Sequence, residues 1–249
     1  MKATITVFVT LLTGISALAA GYKVDQQIGK GNLGRITQLS IGQDDSVCAL
    51  EKNGKITLFK SDGSMSGSFS TGMNNTTALA IADTGSLYVF STLTETRKVK
   101  SGARMREVQV PIGVECGIFN AAGEKLRNKA FDNLKSAQAV RIVDNKLIVA
   151  DLSARALVFM DLETGNETHR IKKGLRLCCG IFDFCTAPDN TVAVSNLGAF
   201  KLQRYDLNGK LVSEFGQRGR ELDDFQGCCN PVSAAYLPGG KILTVEKSP

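Results

Sequence analysis

Thr191-Val-Ala-Val-Ser195, entered through the turn Ala187-Pro-Asp-Asn190, decides the fold because the same pattern returns throughout the chain. A polar turn followed by apolar, largely β-branched or aromatic residues recurs at Ser46-Val-Cys-Ala-Leu50, Ser86-Leu-Tyr-Val-Phe90, Lys146-Leu-Ile-Val-Ala150 and Lys241-Ile-Leu-Thr-Val245. Successive copies start 40, 60, 45 and 50 residues apart. Read as strands with period-2 alternation, they exclude a solenoid of helix pairs. A period of this length with strands in each unit is that of propeller blades.

Working outward, each copy is preceded by a shorter apolar strand: Leu39-Ser-Ile41, Ala78-Leu-Ala-Ile81, Ala139-Val-Arg-Ile142, Phe182-Asp-Phe184 and Ala234-Ala-Tyr-Leu237. These read as inner strands. Downstream, a third strand ends in a polar turn at Asp62-Gly63, Ala122-Gly123, Thr164-Gly165 and Asn208-Gly209. Such turns send a fourth, outer strand back antiparallel. The expected fold class is therefore all-β: a propeller of four-stranded antiparallel blades, with about four and a half blades present.

Residues 181–232 carry a family resemblance. Ala187-Pro-Asp-Asn190, then Gln203-Arg-Tyr-Asp-Leu-Asn-Gly209, then the linker Phe215-Gly-Gln-Arg-Gly219 with Phe225 and Pro231, resemble the NHL repeat. Ile148-Val-Ala-Asp151 is similar to that family's strand ending. The resemblance is to secreted, bacterial-type members. It implies a toroid of about six blades, most often a binding platform and in a minority an enzyme. Val24-Asp-Gln-Gln-Ile-Gly29 is similar to Val212-Ser-Glu-Phe-Gly216, so residues 22–29 read as an outer strand without a blade of its own. The last copy ends at Pro249, just after its second strand. By the observed period about 70–90 further residues would close a ring, and a C-terminally truncated member is expected.

The first twenty residues read as a signal peptide, with Lys2 before an apolar run from Ala3 to Leu18 and small residues up to Ala20. Cleavage near Ala19 or Ala20 is expected, an uncleaved anchor being the alternative. Domain limits are then 1–20 for the targeting segment and 21–249 for the partial propeller. A secreted or periplasmic location follows, with membrane association only through an uncleaved N-terminus. A formal charge of +6 over mixed Lys, Arg, Asp and Glu points to solubility and only weakly to an anionic partner.

Five of the seven cysteines gather in two blade-entry loops, Cys178-Cys179 with Cys185 nearby, and Cys228-Cys229-Asn230. The pairs stand one local period of 50 residues apart. They therefore occupy equivalent positions at the start of neighbouring inner strands, on the order of 10 Å apart or less. A vicinal bridge is disfavoured by the short Cα separation of adjacent residues, so cross-blade disulfides are the leading expectation. A thiolate site for a soft metal or an iron–sulfur cluster is the alternative cofactor. Cys48 and Cys116 fall within strands and read as small core residues.

Other chemistries have less support. His169, the one histidine, falls on an outer strand and reads as a surface residue, which excludes triads and multi-histidine zinc sites. Asp183 and Asn230 are conceivable contributors to a calcium site in the channel. The excess between Leu93 and Gly113 carries Arg97, Lys98, Lys100, Arg104 and Arg106 and is expected as a solvated basic loop, a projecting hairpin being the alternative. It lacks the interleaved aromatics of a nucleic-acid platform. The expected function is a binding or scaffold protein for a protein, peptide or glycan. A propeller with a cysteine-ligated redox or catalytic centre is the alternative.

Overall fold

The computed structural model describes residues 27–42, 44–102 and 104–247. The expected signal peptide and most of the expected N-terminal outer strand lie outside these residues. Of that strand, Gln27–Gly29 are described and form no strand. Ile28 packs with Leu33 and Leu39 against Val47, Ala49 and Phe59.

The strands build four meandering antiparallel sheets and part of a fifth. The first contains β1 (Ile36–Ile41), β2 (Val47–Glu51), β3 (Lys55–Phe59) and β4 (Met65–Ser70). The second contains β5 (Thr76–Ile81), β6 (Leu87–Ser101), β7 (Arg104–Phe119) and β8 (Lys125–Lys129). The third contains β9 (Ala139–Val143), β10 (Lys146–Asp151), β11 (Ala156–Asp161) and β12 (Glu167–Ile171). The fourth contains β13 (Phe184–Thr186), β14 (Val192–Asn196), β15 (Lys201–Tyr205) and β16 (Leu211–Phe215), and the fifth β17 (Ser233–Tyr236) and β18 (Ile242–Val245).

The expected alternation takes a different form here. Every residue of β2 and β14 is buried, so these strands do not alternate between core and water. The alternation is between two neighbouring sheets. Leu147 and Val149 of β10 join Phe90, Cys116 and Ile118 of the second sheet, whereas Ile148 and Ala150 join Phe184, Val192 and Val194 of the fourth. A strand sandwiched by sheets on both faces is apolar along its length except toward its end, where buried Glu51, Asp151, Ser195 and Asn196 stand, which is why the repeat reads as an apolar run. Outer strands have one flank in water, and β4 and β16 are largely exposed accordingly.

The blade-four inner strand begins two residues later than expected, at Phe184. The preceding loop turns at Cys178–Ile181, where the Ile181 amide donates to the Cys178 carbonyl at 3.3 Å, and Phe182 is spent on the interface with the third sheet.

Polar residues at the ends of the second strands hold the entry segments. Asp151, fully buried, accepts from the Lys135 amide (2.8 Å), the Ser136 amide (3.1 Å) and hydroxyl (2.9 Å), and the Ala154 amide (2.9 Å). Asn196 accepts from the Arg176 amide at 2.7 Å and donates to the Gly174 carbonyl at 2.8 Å. Just after β18, Glu246 accepts from the Gln226 amide at 3.3 Å. These segments run along the surface with no sheet partner, so side chains satisfy their backbone donors, buried ones in the case of Asp151 and Asn196.

Between the inner strands lies Gln38 of β1. Its amide donates to the Leu79 carbonyl of β5 (2.8 Å) and the Val140 carbonyl of β9 (3.3 Å), and accepts from the Leu79 amide (3.2 Å). One buried side chain thus ties three inner strands together.

Candidate functional site: the entry-loop face

The loops between first and second strands gather at one end of the molecule, where Ile41–Gly42, Ile81–Asp83, Ile142–Asp144 and Thr186–Asn190 share a cavity of about 400 Å³. Antiparallel pairing puts the entry loops and the turns between second and third strands at the other end. Both cysteine pairs are there.

Four side chains and one glycine fix the first cysteine loop. Leu175 and Leu177 are buried in the interface of the third and fourth sheets. Arg155 donates to the Leu177 carbonyl at 3.0 Å, and Gln138 donates to the Gly180 carbonyl at 2.7 Å. At Gly198 a Cβ would stand 2.3 Å from the Arg176 carbonyl, so only glycine lets the chain after β14 lie against the segment leading to Cys178.

The second loop is fixed by Asn230, fully buried. It donates to the Gln226 carbonyl (2.6 Å) and the Lys247 carbonyl (3.3 Å) and accepts from the Lys247 amide (2.8 Å). All of its contacts are to backbone, so Asn230 is a structural clamp. Asp183 accepts from the Ser233 hydroxyl at 2.6 Å and faces Arg141 at 3.8 Å. The two expected contributors to a calcium site are thus each engaged elsewhere.

Between these loops the sulfurs converge. Cys178 and Cys229 are joined as a disulfide across the fourth and fifth sheets, with Cα atoms 6.6 Å apart. The sulfurs of Cys178, Cys179 and Cys229 all lie within 4.8 Å of one another, and that of Cys228 is 3.4 Å from that of Cys229. Cys179 and Cys228 are exposed free thiols. The second cysteine of each pair has a left-handed backbone, with φ of 56° at Cys179 and 64° at Cys229. Such a conformation is uncommon for a residue with a Cβ.

Cys185 is not part of this group. It is buried with Ala193, Leu202 and Ala234 between the fourth and fifth sheets, and burial pushes its thiol up to about 12. Cys48 and Cys116 are likewise buried, with thiols raised to about 12 by desolvation. His169 is half-buried on β12, its ring tilted against that of Phe159 and pressed against the Asn208-Gly209 turn of the next sheet. It is a packing residue.

The segment expected as a solvated loop is instead a regular ribbon. β6 and β7 pair from Leu87↔Phe119 out to Ser101↔Arg104, with one irregularity between Leu93 and Thr94. Cross-strand register places Arg97, Val99, Arg104, Arg106 and Val108 on one side and Lys98, Lys100, Met105 and Glu107 on the other. Arg97 pairs with Glu95, and Lys98 lies 3.9 Å from Glu107. The β-propensity of Thr94, Thr96, Val99, Val108 and Val110 was the signal available in the sequence; the basic charges masked it.

At the base of the ribbon is a groove of about 450 Å³ lined by Asn75, Thr77, Thr92, Thr94, Gln109 and Ser136 among others. A larger cavity of about 770 Å³ opens at the opposite end between the first and second sheets, around Asp44, Lys60 and Asp83. It is remote in the topology from the cysteines and the ribbon.

No family model matches the sequence, and no curated protein matches it. Among solved structures the chain is similar to a catalytically inactive virginiamycin B lyase from Staphylococcus aureus, crystallised with quinupristin. The match has a TM-score of 0.56 at 16% identity and covers 85% of this chain and 63% of that one. The fold is a β-propeller. At that identity the likeness extends to the fold alone, and the propeller described here spans less than two thirds of the lyase chain. Among the described residues no helix is long and apolar enough to cross a membrane.

Proposed function

We propose that this chain is an extracytoplasmic, NHL-like binding propeller that seats a protein, peptide or glycan ligand on its entry-loop face. The observation that carries the reading is the β6–β7 ribbon. It projects from the second sheet on the same face as the entry loops, and Leu93, Val99, Met105 and Ile112 are exposed on it beside the basic residues. Exposed apolar side chains interspersed with Arg are the composition of a recognition surface. The groove at its base offers hydroxyl and amide groups, which suit hydrogen bonding to peptide or sugar. The cross-blade disulfide fits an oxidising compartment.

A lyase reading has less support. The similar structure is a histidine-to-alanine variant described as catalytically inactive, and the one histidine of this sequence packs against a neighbouring turn. The test is to replace residues 96–109 by Asn-Gly. Glu95 and Val110 are directly paired, so a two-residue turn there keeps the register. Wild-type and trimmed chains are compared on peptide and glycan arrays. Ligands retained by the first and lost by the second support the reading; identical profiles, or none for either, overturn it.

A further inference from the structure

We propose that Cys178, Cys179, Cys228 and Cys229 form a redox-gated tetrathiolate site for one soft, thiophilic d10 metal ion, assembled when the Cys178–Cys229 bond is open. The proposal rests on geometry that the disulfide alone does not account for. A cross-blade staple needs one cysteine from each loop, and each loop brings two. The extra sulfurs, although solvent-exposed, stay beside the bonded pair: Cys179 lies within 4.8 Å of both bonded sulfurs, and Cys228 is 3.4 Å from Cys229.

The dimensions fit a single ion. Tetrahedral coordination with metal–sulfur bonds of about 2.3 Å sets sulfurs ~3.8 Å apart. The Cys178, Cys179 and Cys229 sulfurs, within 4.8 Å of one another, are about an ångström from that spacing, and Cys228, 3.4 Å from Cys229, supplies the fourth donor by swinging in from farther out. An iron–sulfur cluster spreads its cysteine sulfurs more widely and fits this tight group less well. The donor set is sulfur only, with no carboxylate or imidazole in the group, which selects thiophilic ions over calcium or magnesium. Both loops are held by contacts other than the disulfide, through Asn196, Gln138 and Arg155 on one side and Asn230 and Glu246 on the other. The site therefore persists when the bond opens. Arg155, bonded to the carbonyl preceding Cys178, places positive charge beside what becomes a dianionic centre.

The switch balances as follows. A dithiol reductant gives two electrons and two protons, becoming a disulfide itself, and the Cys178–Cys229 bond breaks to two thiols. One divalent ion then displaces four thiol protons to solvent and forms four metal–sulfur bonds. In the reverse direction a disulfide oxidant takes two electrons from the Cys178 and Cys229 thiolates and, with two protons, becomes a dithiol; the Cys178–Cys229 bond re-forms, two protons return to Cys179 and Cys228, and the ion is released.

The test uses the full chain, reduced anaerobically with dithiothreitol, desalted and titrated with Cd²⁺ while sulfur-to-metal charge-transfer absorbance is followed. The expected result is saturation at one ion per chain and a higher melting temperature with the ion bound. Cys179→Ser and Cys228→Ser change exposed residues, and each should weaken binding at least tenfold and remove about a quarter of the band. The unreduced chain should bind at least a hundredfold more weakly, having lost two of its four donors. Absence of saturable uptake by the reduced chain overturns the proposal. So does a Cys179→Ser/Cys228→Ser double variant that keeps the wild-type fold by circular dichroism and binds Cd²⁺ as tightly as wild type.

Discussion

Replacing Asp151 by alanine should destabilise the propeller by about 3–5 kcal/mol. The carboxylate is fully buried and receives four hydrogen bonds, three from backbone amides and one from the Ser136 hydroxyl. A hydrogen bond to a charged group contributes roughly 1.5–3 kcal/mol net, and such bonds within one network are not additive. Truncation removes all four and leaves the segment around Lys135 and Ser136 without its anchor. Against a global stability on the order of 5–15 kcal/mol the loss is large. Asp151→Asn keeps one acceptor oxygen in place for Ser136 and Ala154 but turns an amide group toward the Lys135 amide, so it should cost only about 1–2 kcal/mol. Urea unfolding gives the two midpoints, and native-state hydrogen exchange should show faster exchange at the Ser136 and Ala154 amides in the alanine variant. If Asp151→Ala unfolds within 1 kcal/mol of wild type, or if alanine and asparagine cost the same, the buried carboxylate is not what holds the entry segment.

Three further outcomes are expected. Native protein treated with a thiol reagent at pH 8 should show two fast thiols, Cys179 and Cys228, while Cys48, Cys116 and Cys185 react only after unfolding; their thiols, raised to about 12, hold almost no thiolate at that pH. At Gly209, with φ of +77°, a Cβ would stand 2.0 Å from the His169 ring, so Gly209→Ala should cost about 1–3 kcal/mol in thermal unfolding, part of it recovered in a His169→Ala background. Arg170 hydrogen-bonds Glu167 and holds its carboxyl below the ordinary value of 4.5. That contribution is present above the unfolded pKa and is lost as pH falls through the folded one, so Glu167→Gln should cost up to about 1 kcal/mol at pH 7 and progressively less as the pH is lowered below the ordinary value.

The blade repeat was legible in the sequence because a strand covered on both faces leaves few positions free to be polar before its end, and the second strands of the first four sheets record that as apolar runs after polar turns. Ile148-Val-Ala-Asp151 carried its clamp in plain sight, since a carboxylate closing an apolar strand must find donors when it is buried. The cysteine pairs could be set side by side from their spacing alone, equivalent positions in adjacent blades being near neighbours. Their individual fates could not. Cys185 is only six residues beyond Cys179, yet strand pairing with Ala193 turns it into an interface between sheets. Asn230 adjoins Cys229 but spends its amide on Gln226 and Lys247, a choice made by the return of β18 from later in the chain. The ribbon was hidden for a similar reason: its pairing is fixed by cross-strand register across fifteen residues, whereas its charges read locally as a loop. Sequence by itself determined the repeat, the number of strands in each unit and the meeting of the two cysteine loops, because those follow from local periodicity. Which sulfur bonds to which, which polar residue clamps a loop, and that Gln38 joins three inner strands were decided only when the blades packed. Those contacts join residues far apart in the chain, and no local pattern encodes them.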